Sequence, residues 1–493
     1  MVDEYSNYIN GKWVKAGTGK TYENINPATG EVLGLFPLSS ALEVDKAVDA
    51  ASRAGTKWRK LPAPKRGEIL FKAAEIMVQR KEDLARRMTM EMGKVLKEAR
   101  GDVQEGIDMT YYMAAEGRRL FGNTTPSELP NKYALSMRVP IGVVAAITPW
   151  NFPFAIPTWK IMPALVAGNT VVFKPSPFTP DMAYQLVKIL EEAGLPPGVI
   201  NLIYGEGPVL GVPLVEDPRV TLVSFTGSTK VGGEIAQRSA RLGKRYSLEM
   251  GGKNAIIVME DADLDLAVEG IIWSAFGTSG QRCTAASRII IQRSIMPYLT
   301  EKIVTRAERL RLGNGLLPGT DVGPVIHQEA LDKILRYIKI GLEEGAKLLI
   351  GGGRATDGEL SKGLFVPPTV FGDVTPKMRI AQEEIFGPVT ALIPVDSLQE
   401  AIAVNNDTPY GLVTAIFTRD VNSAFRAMED ITTGIVYINS GTIGAEVHLP
   451  FGGTRGTSNG HREAGQAALD VYTDWKTVFV DYSGRLQKAQ MTD

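Results

Sequence analysis

Between residues 141 and 258 short apolar runs recur at 143–147, 170–173, 200–204, 221–225 and 255–258, separated by segments long enough for helices. Strands that alternate with helices pair in parallel, because a parallel neighbour is reached only through a crossover that packs on a face of the sheet. One crossover shows full helix punctuation: Thr179 as candidate N-cap, Pro180 in the first turn, Met182, Leu186, Ile189 and Leu190 on one face, and Gly194 past the end. The stretch from 261 to about 443 repeats the alternation, with strand-like runs at 288–291, 413–417 and 435–438. Two α/β units are therefore expected, and a chain of 493 residues has the length for two or three domains. Residues 41–120, rich in Glu, Lys, Arg, Ala and Met, read as amphipathic scaffold helices. Segments 136–140 and 470–482 are strand-like and need a sheet edge, for which another subunit is a candidate.

Charge excludes some partners. With 54 basic against 55 acidic residues, nothing points to nucleic acid or an anionic membrane. Residues 1–10 carry Asp3 and Glu4 without an apolar run, so no secretory signal is expected. No uninterrupted apolar stretch approaches the roughly 18–20 residues that span a bilayer. The default is a cytoplasmic protein, and a single cysteine suits a reducing compartment.

That cysteine, Cys283, has no internal disulfide partner, so it is either packing or chemistry. The three histidines, His327, His448 and His461, are far apart and lack metal-ligand spacing, so no metal site is expected and a Cys-His protease is disfavoured. Gly205, Gly207 and Gly211 match a dinucleotide turn only loosely, and a surface turn is an equal reading. The run FTGSTKVG at 225–232 follows a strand and opens a helix, where free amides and a hydroxyl can hold a phosphate; it lacks the Walker order of residues, which disfavours an NTPase. In TPWNFP at 148–153 two prolines stiffen the chain around Asn151, which is either a capping residue in a rigid turn or an amide aimed at a developing oxyanion. Lys174 ends a strand, where a ligand in an α/β crevice would lie; a solvated lysine is the alternative.

Taken in order, TPWNFP (148–153), FKPS (173–176), FTGS (225–228), LEMGG (248–252), GQRC (280–283), EEIFGP (383–388) and PFGG (450–453) resemble the aldehyde dehydrogenase superfamily, over about residues 7–479. The resemblance implies an α/β fold with a Rossmann-type cofactor domain (1–120 and 141–251), an α/β catalytic domain (252–445), a small β oligomerisation element (121–140 and 468–493) and a return segment (446–467). It implies Cys283 as nucleophile, Asn151 and the Cys283 amide as oxyanion donors, Glu249 as the base that activates water, and Lys160 with Glu463 as a proton exit. Cofactor contacts carried over are Trp150, Lys174, Ser176, Phe225, Gly227, Ser228, Glu384 and Phe386. The cofactor is NAD or NADP: Pro177 stands where NAD-preferring members often have a glutamate, so no carboxylate there repels a 2′-phosphate. Met250 replaces a usual leucine at nearly constant volume.

Substrate preference turns on Arg282 and Glu105, which are either an ion pair or readers of the far end of a carboxylated substrate, as similar positions are in the aminoadipate semialdehyde branch. The runs GTIGAEVHLPFGG (441–453) and TSNGHREAG (457–465) resemble dehydrogenases of the α-ketoglutarate semialdehyde type. A short ω-semialdehyde bearing a carboxylate, 2,5-dioxopentanoate first, is the expected substrate. A broad-specificity aliphatic enzyme and a CoA-acylating enzyme are alternatives, the latter opposed by Glu249. An inert binding protein is a third, opposed by the joint presence of Cys283, Glu249 and Asn151. The family resemblance and the strand-like tail both suggest a homodimer or homotetramer.

Overall fold

The computed structural model describes residues 2–488 and 490. Two seven-stranded sheets dominate it. The first runs in the order Arg245–Glu249, Val220–Thr226, Val143–Ile147, Thr170–Lys174, Ile200–Leu202, Asn7–Ile9, Lys12–Val14. Its central pairs are parallel, and the antiparallel pairs are those that Asn7–Ile9 makes with Ile200–Leu202 and with Lys12–Val14. Residues 143–146 and 170–174 are buried throughout because helices cover both faces, which is why these strands read as unbroken apolar runs. From Val143–Ile147 the chain winds one way through Thr170–Lys174 and then continues on the other side with Val220–Thr226, so a crevice opens at that switch. Ile147 lies opposite both Phe225 and Lys174, and Thr226 lies opposite Glu249, so the loops leaving these strands start at one level.

The second sheet has the order Lys347–Ile350, Thr369–Gly372, Val389–Val395, Ala286–Gln292, Asn254–Val258, Val413–Phe417, Ile435–Ile438, parallel except at Lys347–Ile350. The scaffold segment forms the helices Ala41–Trp58, Ala63–Met92 and Leu96–Glu116. Met77, Leu84, Met88, Val103, Ile107 and Met113 from this group share one core with the wholly buried helix Ala155–Ala167. Ser40 caps the first of these helices through a capping box with Glu43.

Three expectations are corrected. Thr179 precedes the helix Pro180–Glu192 but gives it no side-chain cap; the buried Glu91 carboxylate accepts the Asp181 and Met182 amides at 2.6 and 3.2 Å instead. Residues 470–472 belong to the short helix Ala468–Tyr472, and the tail strand is Thr473–Asp481. That strand pairs with Lys132–Pro140 of its own chain, antiparallel over its full length, with Asn123–Pro126 as third strand, rather than seeking its first edge on another subunit. Residues 489 and 491–493 of the expected 468–493 element lie outside the described residues. No helix among the described residues is long and apolar enough to cross a membrane.

Candidate active site

The cysteine loop begins where the helix Leu264–Phe276 stops. Thr278, Ser279 and Gly280 follow with φ of 50°, 55° and 67°, a left-handed turn that costs a non-glycine residue about 1–2 kcal/mol. Fixed partners hold it. Glu98 accepts the Thr278 amide at 3.0 and 2.9 Å and its hydroxyl at 3.1 Å, Ser279 Oγ donates to Gly323 O at 2.7 Å, and Gln281 Oε1 accepts the Ile326 amide at 3.0 Å. Asn254 Nδ2 donates to the Cys283 carbonyl at 2.6 Å, and the Cys283 amide has no acceptor among the described residues.

Cys283 lines a cavity of about 620 Å³ between the two sheets, together with Glu249, Thr226, Met250, Glu105, Arg282, Phe152, Phe451 and Glu463. Asn151 does not line it, although its neighbour Phe152 does. The Asn151 carbonyl accepts from Lys94 Nζ at 2.7 Å, and its side-chain amide has no partner among the described residues. Glu249 ends its strand with Oε2 accepting from Ser458 Oγ at 2.6 Å and Oε1 buried without a partner. Burial, then the nearby Glu463, pushes the Glu249 carboxyl well above its ordinary range. Lys160, on the buried helix Ala155–Ala167, forms an ion pair with Glu463 and donates to Ser224 Oγ at 3.3 Å, which meets Tyr472 Oη at 3.0 Å. Polar groups thus run from the cavity wall at Glu463 into the first sheet. Burial, with the carboxylates of Glu249, Glu384 and Glu105, pushes the Cys283 thiol up to about 12, against the opposing pull of Arg282.

Arg282 and Glu105 share the cavity, and the first of their two readings, an ion pair with each other, is not formed. Arg282 Nη2 reaches Glu98 at 3.2 Å and Nε donates to Thr278 Oγ1 at 2.9 Å, while the guanidinium lies 5.2 Å from the Phe152 ring centre. Its Nη1 has no partner among the described residues. Glu105 is half-buried, and desolvation with the nearby Asp102 pushes its carboxyl up to about 8.

The other expected residues gather at the switch crevice. Trp150 follows Val143–Ile147, Lys174 ends its strand with Ser176 just beyond, and Phe225, Gly227 and Ser228 sit at the end of Val220–Thr226, three strands adjacent in the sheet. Ser228 caps the helix Thr229–Arg241, accepting from the Val231 amide, so the amides of Thr229 and Lys230 have no acceptor among the described residues. A Cβ at Gly227 would collide with the Phe225 ring. The hydroxyls of Thr226 and Thr229 are buried and unpartnered. Lys174 Nζ finds only its neighbour's carbonyl, Pro175 O at 3.1 Å, and burial draws its pKa down to about 8. A helix start, orphaned hydroxyls and a buried unpaired ammonium suit a phosphate and ribose hydroxyls. Trp150 and Phe386 meet edge to face at 5.4 Å, and Glu384 Oε1 accepts the Gly252 amide at 2.9 Å.

Residues 13–478 match the model of the aldehyde dehydrogenase family. The chain belongs to that family. It is 46% identical to the alpha-ketoglutaric semialdehyde dehydrogenase of Bacillus subtilis, covering 97% of this chain and 98% of the relative. It is 43% identical to the alpha-ketoglutarate semialdehyde dehydrogenase of Haloferax volcanii, over 98% and 100%. The fold matches the betaine aldehyde dehydrogenase of Staphylococcus aureus, solved in complex with NAD+, with a TM-score of 0.96, 35% identity and coverage of 98% and 95%. As an aldehyde dehydrogenase the protein is an oxidoreductase acting with a nicotinamide cofactor.

Sequence reasoning missed several groups of this site. Lys94 and Asp102 carried no motif signal, and Glu98 none beyond lying near Glu105. Lys253, next to the LEMGG run, is buried with Nζ unpartnered and drawn down to about 7 by burial and Arg288.

Proposed function

We propose that this aldehyde dehydrogenase oxidises a short ω-semialdehyde carrying a carboxylate, 2,5-dioxopentanoate first, to the corresponding acid with NAD or NADP. One observation carries the substrate class: Arg282, next to the nucleophile, faces the same cavity as Cys283 and keeps Nη1 uncommitted. A distal carboxylate would accept from that edge, and Glu105, protonated to about pH 8, would donate a second hydrogen bond. The names of the two semialdehyde dehydrogenase relatives support the same class.

The Cys283 sulfur adds to the aldehyde carbon, and its proton passes to a neighbouring carboxylate; Glu249 suits this because its raised pKa makes it a stronger base. The Asn151 carboxamide and the Cys283 amide then donate to the new oxyanion, each worth about 2.7–4 kcal/mol in comparable sites. A nicotinamide dinucleotide would be held by Lys174, Ser176, Ser228 and the Thr229–Arg241 helix start, with Glu384, Phe386, Trp150, Phe225 and Gly227 around it, and would supply the acceptor for the departing hydride. The carbon is left as a thioester on Cys283. Glu249 first passes the thiol proton on through Glu463 and Lys160, then takes a proton from water as the water attacks the thioester; the C–S bond breaks, the acid leaves, and Glu249 returns its proton to the Cys283 thiolate.

In this reading residues 1–120 with 141–251 bind the cofactor, 252–445 carry the nucleophile and 446–467 return to the first half. The sheet of 121–140 with 468–488 joins copies of the chain into a dimer or tetramer. One of its faces exposes Tyr133, Met137 and Val480 at 59%, 44% and 48%, more apolar surface than a small free sheet keeps in water. A nucleophile that works only as a free thiol supports a reducing, cytoplasmic location. Steady-state kinetics with carboxylated and neutral aldehydes, using both cofactors, test the proposal. Arg282→Ala should raise KM for acidic aldehydes and leave neutral ones little changed, and an unaltered preference would refute the substrate class.

A further inference from the structure

The two expected oxyanion donors stand on different loops. Asn151 follows a strand of the first sheet, while Cys283 precedes a strand of the second. A donor misplaced by about 1 Å loses much of its effect, so something must set their spacing. One helix touches both loops. Glu98 and Asp102 lie four residues apart on Leu96–Glu116, hence on one face and about 6 Å apart along the axis.

Asp102 grips the Asn151 loop. Its Oδ1 accepts the Ala155 amide at 2.8 Å, capping the helix Ala155–Ala167, whose own N-cap Phe154 offers no side-chain acceptor. Its Oδ2 accepts Lys94 Nζ at 2.8 Å, and the same ammonium donates to Asn151 O at 2.7 Å. Both side chains are 0% exposed, so water does not loosen the pair. Glu98 grips the cysteine loop through the amide and hydroxyl of Thr278 and through Arg282. Between the two grips lies the Phe152 ring, with Lys94 Nζ 3.9 Å and the Arg282 guanidinium 5.2 Å from its centre.

We propose that Lys94, Asp102 and Glu98 are positioning residues that fix the Asn151 carboxamide relative to the Cys283 amide through this one helical turn. The proposal rests on the oxyanion role given above to those two donors. None of the three side chains needs to touch the reacting atoms: the main-chain grip on Asn151 and Thr278 transmits the geometry.

The test is a double-mutant cycle of Asp102→Asn with Asn151→Ala, read as kcat and KM from NAD(P)H formation, with dinucleotide binding by fluorescence as a control. Asp102→Asn alone should lower kcat by about 10- to 100-fold, below the about 10²- to 10³-fold of losing a donor outright, with KM within threefold. In the Asn151→Ala background it should lower kcat less than twofold further, because the amide it positions is gone. If its full loss recurs there, the damage is general and the positioning role is overturned. If Asn151→Ala leaves kcat unchanged, the oxyanion reading falls and takes this proposal with it. Should Asp102→Asn not fold, Glu98→Gln carries the test. It keeps the shape of the grip, should lower kcat at least fivefold with dinucleotide binding intact, and an unchanged kcat would overturn the proposal.

Discussion

Replacing Glu249 by glutamine separates the two halves of the proposed reaction. The isosteric amide keeps an acceptor for the Ser458 hydroxyl, which sits at 2.6 Å, and adds no volume beside Gly452, so the strand end should not move. What is lost is a base for water. General-base catalysis is worth about 10²- to 10⁴-fold, and at about 1.36 kcal/mol per tenfold this raises the hydrolysis barrier by roughly 3–5.5 kcal/mol. Formation of the thioester needs the base only for the thiol proton, which solvent hydroxide can also accept at alkaline pH. Stopped-flow mixing with aldehyde and cofactor near pH 9 should therefore give a burst of about one reduced cofactor per active site, followed by turnover slower by the factor above. Intact-mass measurement after the burst should find an acyl group on Cys283. Turnover within threefold of the native enzyme, or turnover lost with no burst and no acyl group, would refute the assignment of Glu249 to the hydrolytic step. The same variant tests the buried carboxyl thermodynamically. A folded-state pKa raised above 4.5 means the native protein holds that proton more tightly, so the favourable contribution present below 4.5 fades as pH rises toward the raised value. Glutamine removes that slope, and the melting temperature of Glu249→Gln relative to the native protein should climb with pH above 4.5.

Because Cys283 is the sole cysteine, alkylation by iodoacetamide reports it without background; in the cofactor-free protein the rate should rise about tenfold per pH unit from 7 to 10 with no plateau, and a plateau near pH 8.5 would contradict the raised thiol. Lys94→Met strands the buried Asp102 charge and should cost about 3–5 kcal/mol by denaturant unfolding, whereas Lys94→Met with Asp102→Leu should recover part of it; a single-variant loss under 1 kcal/mol would contradict a dry ion pair. Tyr133→Glu with Val480→Glu places charges side by side on the exposed sheet face and should reduce the particle to monomers in sedimentation; unchanged mass would place the interface elsewhere.

Much of the scaffold was legible because each local signal agreed with its tertiary fate. The runs 143–147 and 413–417 became strands with those bounds, since strands inside a helix-covered sheet are mostly apolar, and 435–438 did so as the half-buried edge strand of the second sheet. Val389–Val395 carries Pro394 and Asn7–Ile9 spans a few residues, and neither stood out as a strand before its neighbours were in place. Thr179 illustrates the opposite failure. A hydroxyl at the right position is an N-cap by local preference, yet Glu91, distant in sequence, supplies the cap, because tertiary packing brings both of its carboxyl oxygens onto the Asp181 and Met182 amides.

The chemistry-bearing residue types and their order along the chain were settled by sequence alone: one thiol, a carboxylate before paired glycines, an amide between prolines, and a glycine turn after a strand. Local chain stiffness and helix-start geometry act over a few residues, so they are written where they operate. Tertiary structure decided what those residues meet. It turned Arg282 toward Glu98 instead of Glu105, buried Glu249 with one oxygen unpartnered, and brought a lysine and two carboxylates from near residue 100 beneath both loops of the site. Such encounters depend on how two sheets and a helical layer pack, and desolvation and Coulomb energies exist only once that packing has excluded water.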